Sequence, residues 1–149
     1  MPTTHEAAAS WQGDLASGKG TVSLKSAAMK QAPTTWKERT EGTGTENATS
    51  PEELLAAAHA SCFSMALAAR IAKAAAPATK LEVIGKVTFG PVPSGGNGVA
   101  SSALSVRASA PGLTAEKLRE LAEDAMENCP LSKALKGNVA LSVDSALVR

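Results

Sequence analysis

Short stretches of alternating apolar and polar residues flank one long apolar stretch in this chain. The first third is polar and punctuated by glycine, which predicts two or three antiparallel strands with Gly18 and Gly20 in a turn. Beyond Pro77, the segments LEVIGKVTFG and GVASSALSVRASA alternate on either side of the turn PVPSGGNG, a pattern typical of a β-hairpin. The segment VALSVDSALV near the end of the chain predicts a final strand.

A long helix is predicted between these two groups of strands. Ser50 is followed by Pro51 at the first helical position and by Glu53 three residues on, which makes a capping box. The helix is expected to end before Pro77. Because its sequence is apolar nearly all round up to Leu67, we expect it to be buried on every face at the centre of the protein.

Two further helices are predicted in the second half of the chain. Thr114 caps a helix that ends near Asn128, and Pro130 opens a short helix that Gly137 stops. This order of elements predicts an α+β fold with antiparallel strands and no internal repeat.

Size, composition and charge narrow the class of protein. The chain has 149 residues, which argues for a single domain over residues 1–149 and excludes a two-domain enzyme. Its 44% hydrophobic and 19% charged residues are typical of a folded chain. With 3% aromatic residues and a net charge of +1, it offers no base-stacking platform and no attraction to nucleic acid or an anionic membrane. No secretory signal and no run of about 18 uninterrupted apolar residues is present, so we expect a soluble, cytoplasmic protein.

Two cysteines, Cys62 and Cys129, are the first candidates for chemistry. Cys62 lies in mid-helix, where a cysteine is either a small buried apolar residue with a raised pKa or a reactive thiol. Cys129 directly precedes Pro130 and is either a cap residue or a thiol whose thiolate the backbone amides stabilise. Their separation of 67 residues (129 minus 62) excludes a C-x-x-C motif and leaves their pairing open.

A thiolate at Cys62 needs a nearby cation, because the middle of an apolar helix does not favour charge. Arg70 and Lys73 lie further along the helix, at what we interpret as its solvated end. Arg39, in WKERTEG, is either a surface charge or part of a loop that folds over a pocket.

The two histidines complete the set of candidate groups. His59 precedes Cys62 by three residues, on the same helix face, and is either a general base or a core histidine with satisfied hydrogen bonds. His5 lies near a flexible terminus, so a metal site has too few ligands.

The segments PEELLAAAHASCFSMAL and NCPLSKALKG resemble the OsmC/Ohr family of peroxidases. The resemblance extends to AxWQGDLxxGKGTVS and ERTEG, covers nearly the whole chain, and is closer to the osmotically inducible OsmC branch than to the organic-hydroperoxide-resistance branch. It implies an OsmC-like α+β fold in which antiparallel β-sheets pack around a long central buried helix, in an intertwined homodimer.

The resemblance also implies a thiol peroxidase that uses no metal and no cofactor. Cys62 is then the peroxidatic cysteine, which becomes a sulfenic acid, and Cys129 the resolving cysteine, which forms an intrachain disulfide with it. The substrate is an organic hydroperoxide, with hydrogen peroxide reduced less well, and the reductant is a dithiol of the lipoyl type. By motif, Arg39 stabilises the thiolate and the peroxide, and Glu52 positions Arg39.

Physical reasoning adds two expectations to this assignment. A pocket walled by Ala and Leu residues, Met65 and Phe63 favours an alkyl hydroperoxide. In an unbroken helix over residues 51–76, Glu52 and Cys62 are separated by about 15 Å along the axis. Either the helix breaks between them or Glu52 serves the sulfur of a second copy, and we expect an obligate homodimer with active sites at its interface.

Two alternatives compete with the peroxidase. The first is a non-catalytic stress or binding protein in which the cysteines are buried and structural. The second is a thioredoxin-like exchange protein, which the absence of both a C-x-x-C motif and a βαβ pattern in the first half weakens.

Overall fold

The fold, seen in a computed structural model, mixes helices and strands and confirms the expected α+β class. The structure describes residues 1–42, 44, 47–75, 77–78 and 80–148. The elements in chain order are β1 (Ala7–Gln12), β2 (Lys19–Leu24), β3 (Ala32–Thr35), α1 (Trp36–Glu41), α2 (Pro51–Ala74), β4 (Lys80–Pro91), β5 (Asn97–Ser109), α3 (Ala115–Asn128), α4 (Pro130–Leu135) and β6 (Ala140–Leu147). Contacts divide the chain into two compact units, residues 1–54 and 55–149, and each is described by itself.

The first unit contains a three-stranded antiparallel sheet in the order β1-β2-β3, as the glycine-punctuated pattern predicts. Gly18 ends the turn between β1 and β2, but the prediction that Gly20 also lies in the turn is wrong. Gly20 lies inside β2 and pairs with Trp11. A Cβ there would come within 2.6 Å of the Ser10 carbonyl oxygen, so a close approach of two backbones explains this glycine.

Arg39 lies on the short helix α1 and not on a loop. The Thr35 hydroxyl caps the start of α1 by accepting a hydrogen bond from the Glu38 backbone N–H. Gly42 ends it with a left-handed backbone at φ 58°. Both ends of α1 are therefore defined by local sequence, and the helix gives Arg39 a rigid base.

The predicted capping of α2 is confirmed in part. The Ser50 hydroxyl accepts a hydrogen bond from the Glu53 backbone N–H at 3.1 Å. In a full capping box, the Glu53 carboxylate would accept a second hydrogen bond from the backbone N–H of Ser50. Here it accepts a hydrogen bond from the Thr49 hydroxyl instead, at 2.6 Å. The helix then runs without interruption to Ala74, while Ala76 lies outside the described residues.

The expectation that α2 is buried on every face is wrong for the single chain. Its fully buried residues recur at every fourth position: His59, Phe63, Leu67 and Ile71. Met65, by contrast, is 67% exposed. A helix that packs on one side against a sheet and other helices covers one stripe of its surface, so the remaining apolar residues stay uncovered.

By length and composition alone, α2 also meets the criteria for a membrane-spanning helix, with a mean hydropathy of 1.5 over its most apolar window. Its buried stripe, however, packs into the core of the second unit. We therefore interpret α2 as a core helix.

The second unit contains a three-stranded sheet in the order β4-β5-β6. The predicted hairpin of β4 and β5 is confirmed, with a bulge between Thr88 and Phe89. The prediction of antiparallel strands is wrong for the last pair, because β6 runs parallel to β5. Two helices, α3 and α4, connect these strands, and such a crossover returns the chain in the same direction.

The core of the second unit lies between this sheet, α2 and α3. Both predicted helices are confirmed: Thr114 caps α3, which ends at Asn128, and Pro130 opens α4, with Gly137 beyond its end at φ 92°. The buried apolar residues are Phe63, Leu67, Ile71, Leu104, Val106, Ala108, Ala110, Leu118, Ala122, Ala125, Met126 and Cys129. This packing brings α2 and the start of α4 together.

Candidate active site

The two cysteines meet in the core of the second unit. Cys62 lies on α2 and Cys129 between α3 and α4, and their sulfur atoms are 3.0 Å apart. Both are free thiols, Cys62 half-buried and Cys129 fully buried. The fold therefore joins two residues whose pairing the spacing left open.

Hydrogen bonds of the backbone fix the position of Cys129. Its N–H donates to the Ala125 carbonyl at 2.8 Å as the last bond of α3, and its own carbonyl accepts from the Lys133 N–H at 3.0 Å in α4. Pro130 follows at the first helical position, where a missing N–H costs nothing. The sequence NCP thus ends one helix and starts the next with the thiol between them.

The local environment separates the two thiols in acidity. Burial, followed by the neighbouring Cys129, raises the pKa of Cys62. Burial also opposes ionisation of Cys129, but interactions with Cys62 and with the backbone amides of Ser132 and Leu131 outweigh it and lower the pKa of that thiol. Within the reduced pair, Cys129 is therefore the more acidic thiol, and Cys62 needs a cation to ionise.

His59 is a buried histidine with both ring nitrogens hydrogen-bonded. Its Nδ1 lies 2.7 Å from the Ser102 hydroxyl and its Nε2 lies 2.8 Å from the Ser132 hydroxyl. Burial lowers the pKa of His59, so the ring is neutral. Of the two sequence-based interpretations, the geometry fits the core histidine with satisfied hydrogen bonds.

In the first unit, Arg39 and Glu52 form a partly buried ion pair. Arg39 donates from Nε at 3.1 Å and from Nη2 at 3.0 Å, both to Oε1 of Glu52. The Glu52 side chain is 7% exposed, and its Oε2 has no hydrogen-bond partner among the described residues. The Arg39 guanidinium also lies 5.9 Å from the centre of the Trp36 ring, in the range of a cation–π contact.

A cavity of about 370 Å³ opens beside this ion pair, within the first unit. Its lining is mostly apolar and consists of Ala9, Trp11, Leu15, Val22, Thr34, Thr35, Trp36, Arg39, Pro51 and Leu54. The predicted pocket walls, Phe63 and Met65, are not among them. Phe63 is fully buried in the core of the second unit and Met65 is largely exposed, because they occupy different faces of α2.

No group of three or more His, Cys, Asp or Glu residues able to hold a metal ion occurs within the described part of the chain. The dithiol and the arginine–glutamate pair are the candidate groups for chemistry.

The family profile described as OsmC-like protein matches residues 42–144, a range that includes both cysteines. The chain is also 37% identical over 133 residues to peroxiredoxin OsmC of Escherichia coli K12, covering 89% of this chain and 90% of that protein. The chain belongs to the OsmC family. This confirms the resemblance drawn from the PEEL and NCP segments.

Other OsmC-family relatives carry names from the second branch. The organic hydroperoxide resistance protein of Xanthomonas axonopodis pv. citri is 34% identical over 104 residues, which cover 66% of this chain and 67% of that one. The crystal structure of the organic hydroperoxide resistance protein OhrB of Bacillus subtilis matches with a TM-score of 0.73 and 27% identity, covering 95% of this chain and 98% of that chain. The fold is therefore the OsmC fold.

Sequence reasoning missed one feature in each unit. It did not identify Ser102 and Ser132 as partners of His59, although a buried histidine requires partners and Ser132 follows Cys129 by only three residues. It also missed the wall formed by Trp11 and Trp36, the two tryptophans of the chain.

Proposed function

We propose that this protein is a cysteine-based peroxidase that reduces organic hydroperoxides to alcohols, with Cys62 as the peroxidatic and Cys129 as the resolving residue. The observation that carries the proposal is the 3.0 Å separation of the two sulfurs. Membership of the OsmC family supports an enzyme of this class, since relatives are named peroxiredoxin and organic hydroperoxide resistance protein.

The reaction takes place in two steps on the protein. The Cys62 thiolate attacks one oxygen of the hydroperoxide, the O–O bond breaks, the sulfur is oxidised to a sulfenic acid, and the alkoxide takes up a proton and leaves as the alcohol. The Cys129 thiolate then attacks the Cys62 sulfur, the S–O bond breaks, and the hydroxide leaves as water with the proton that Cys129 shed. A dithiol reductant of the lipoyl type exchanges with the disulfide and restores both thiols.

Arg39 is assigned to activate the first step. The raised pKa of Cys62, caused first by burial, means that a positive charge must stabilise its thiolate during catalysis. Arg39 supplies a permanent charge and planar donors suited to the thiolate and the leaving oxygen. Glu52, nearly buried and bonded to two of its nitrogens, positions it.

The cavity in the first unit is assigned to the alkyl group of the substrate. It brings Trp11, Leu15 and Leu54 into the lining that also contains Arg39. Apolar surface removed from water contributes about 25 cal/mol per Å², so an organic hydroperoxide is preferred to hydrogen peroxide.

An obligate homodimer, with active sites built from both copies, completes the proposal. Of the two possibilities left by the sequence, a break in α2 does not occur, since the helix is continuous from Pro51 to Ala74. The single chain also leaves apolar surface uncovered: β1 is exposed along its whole length, and Met65 and Ile84 are 67% and 59% exposed. A second copy that covers these surfaces accounts for an apolar helix with only one buried stripe. We further expect one folding domain over residues 1–149 and a cytoplasmic location, where a dithiol stays reduced.

To test the proposed function, the reduced protein is treated with one equivalent of an organic hydroperoxide and its free thiols are counted. We expect both thiols of each chain to disappear, with no crosslink between chains and with one alcohol formed per chain. Retention of both thiols would instead favour the non-catalytic stress or binding protein, in which Cys62 and Cys129 only pack.

A further inference from the structure

His59 connects three elements of the second unit. It lies on α2, and it hydrogen-bonds Ser102 on β5 through Nδ1 and Ser132 on α4 through Nε2. All three side chains are buried to at least 99%. A buried polar network of this kind is costly unless every member is paired, and here each member is.

The His59–Ser132 contact runs alongside the contact of the two sulfurs. His59 precedes Cys62 by three residues on α2, and Ser132 follows Cys129 by three residues at the start of α4. The same two segments are thus joined twice, at 2.8 Å by the hydrogen bond and at 3.0 Å by the sulfurs. Any movement of Cys129 away from α2 has to break or rotate the His59–Ser132 bond.

The hydrogen positions in this network follow from its neighbours. The Ser132 hydroxyl has two sulfur acceptors, Met126 at 3.3 Å and the Cys129 thiol, and we therefore assign its oxygen as the acceptor of Nε2–H of His59. The neutral ring then carries no proton on Nδ1, which accepts from the Ser102 hydroxyl. In this arrangement His59 anchors the oxygen of Ser132, and the Ser132 proton points away from the ring.

We propose that His59 is a positioning residue for the resolving step, which it serves by holding Ser132, and with it the start of α4 and Cys129, against the face of α2 that carries Cys62. The proposal rests on the proposed function. After oxidation of Cys62, the Cys129 sulfur must displace the sulfenic oxygen, and the two sulfurs close from 3.0 Å to a bond of about 2.05 Å. The anchor keeps Cys129 in place until it attacks, as Cys62–SOH and Cys129–SH become a disulfide and water.

Two matched variants of His59 isolate the contact that matters. The side-chain nitrogen of His59→Gln reaches the position of Nε2 and keeps a donor for Ser132, whereas the shorter His59→Asn reaches the position of Nδ1 and faces Ser102. Ser132→Ala removes the same contact from the other side, together with the hydrogen bonds of the Ser132 hydroxyl to Met126 and to Cys129, so a defect shared with His59→Asn is the one that reports on the His59 contact. Ser64→Ala is the control, because the Ser64 hydroxyl lies on the same helix and, among the described residues, bonds only to the Ala60 carbonyl of its own turn.

The experiment is a single turnover with one equivalent of an organic hydroperoxide, followed by rapid quenching. Mass spectrometry then measures three amounts in each sample: the remaining Cys62 thiol, the Cys62 sulfenic acid trapped by a dione reagent, and the disulfide. We expect Ser132→Ala and His59→Asn to oxidise Cys62 at the wild-type rate but to form the disulfide about tenfold more slowly, the rate equivalent of one buried hydrogen bond. Captured sulfenic acid should rise accordingly, while His59→Gln and Ser64→Ala behave as wild type.

Disulfide formation at the wild-type rate in both Ser132→Ala and His59→Asn overturns the inference, and so does equal slowing of Ser64→Ala. A purely structural role predicts the same loss of stability for the Gln and Asn variants with no change in the resolving rate, and urea denaturation of each variant tests this. Failure of the wild-type protein to form any disulfide overturns the proposed function instead, so the two failures are distinguishable.

Discussion

Arg39 donates two hydrogen bonds to one carboxylate oxygen of Glu52, Oε1, from Nε at 3.1 Å and from Nη2 at 3.0 Å. The guanidinium is held in one orientation by two bonds, while 34% of the Arg39 side chain stays exposed. Such a group is rigid and still accessible to a substrate.

Replacing Arg39 with Lys should slow oxidation of Cys62, because an ammonium group lacks the planar pair of donors, Nε and Nη2, that converge on Oε1 of Glu52 and orient the charge. We expect kcat/KM for an organic hydroperoxide to fall by about tenfold to a hundredfold in Arg39→Lys and in Glu52→Gln, the range for loss of a charge-assisted hydrogen bond. Stopped-flow measurement of Cys62 oxidation gives the rate. Arg119→Lys, at an exposed position of α3, is the control, and equal rates in Arg39→Lys and this control would contradict the role of Arg39.

The two cysteines should differ in the step that they support. Cys62→Ser is expected to abolish turnover, whereas Cys129→Ser allows one round and leaves Cys62 as a sulfenic acid or a further oxidised form. Alcohol produced per chain, together with the mass of the Cys62 peptide, distinguishes the two. Equal multi-turnover activity in both variants with a dithiol reductant would falsify the division of roles.

Removing apolar surface from the cavity should reduce the preference for organic substrates. Leu15→Ala takes away about 50 Å² of possible alkyl contact, worth on the order of 1 kcal/mol, so the ratio of kcat/KM for cumene hydroperoxide to that for hydrogen peroxide should fall about fivefold. Leu24→Ala changes an exposed leucine that does not line this cavity and should leave the ratio unchanged. A ratio that stays constant in Leu15→Ala would show that this cavity does not bind the alkyl group.

The buried His59 should make stability depend on pH. Because burial lowers its pKa below 6.5, the unfolded chain binds a proton near that pH while the folded chain does not. The free energy of unfolding should therefore fall as the pH drops below about 6.5, by up to about 1.4 kcal/mol per pH unit from this group, with no contribution at higher pH. Urea denaturation of the wild type and of His59→Gln at about pH 7.5 and about pH 5.5 measures the difference. Equal losses in the two proteins would contradict a lowered pKa.

Mixed dimers test whether two copies share a site. If Glu52 serves the sulfur of the partner copy, mixing Glu52→Ala chains with Cys62→Ser chains should restore activity, because each heterodimer keeps one site with all its wild-type groups. Peroxide consumption after subunit exchange measures this. If Glu52 acts within its own chain, both sites of every heterodimer carry a defect and mixing adds nothing; that result, or a fully active monomer, would rule the shared site out.

Local sequence determined most of the elements in this protein. Three features depend only on residues within one turn of each other: the start of α2 at Ser50, the cap of α3 at Thr114 and the position of Cys129 between two helices. Such short-range preferences can be predicted directly from the sequence. The same holds for the β4–β5 hairpin, whose strands are joined by a short turn. The motifs around Cys62 and Cys129 also indicated the OsmC family, which the relatives confirm.

Tertiary structure decided the contacts between residues that are distant in sequence. Alternation along β6 is the same for a parallel and an antiparallel partner, so its direction depended on the helices that connect it to β5. The apolar surface of α2 did not indicate which stripe packs into the core, and so neither the burial of Phe63 nor the exposure of Met65 could be predicted. Whole elements had to pack before Cys62 could contact Cys129. The same is true of the contacts of His59 with Ser102 and Ser132. No local preference acts across so many residues, so these contacts could not be predicted from the sequence.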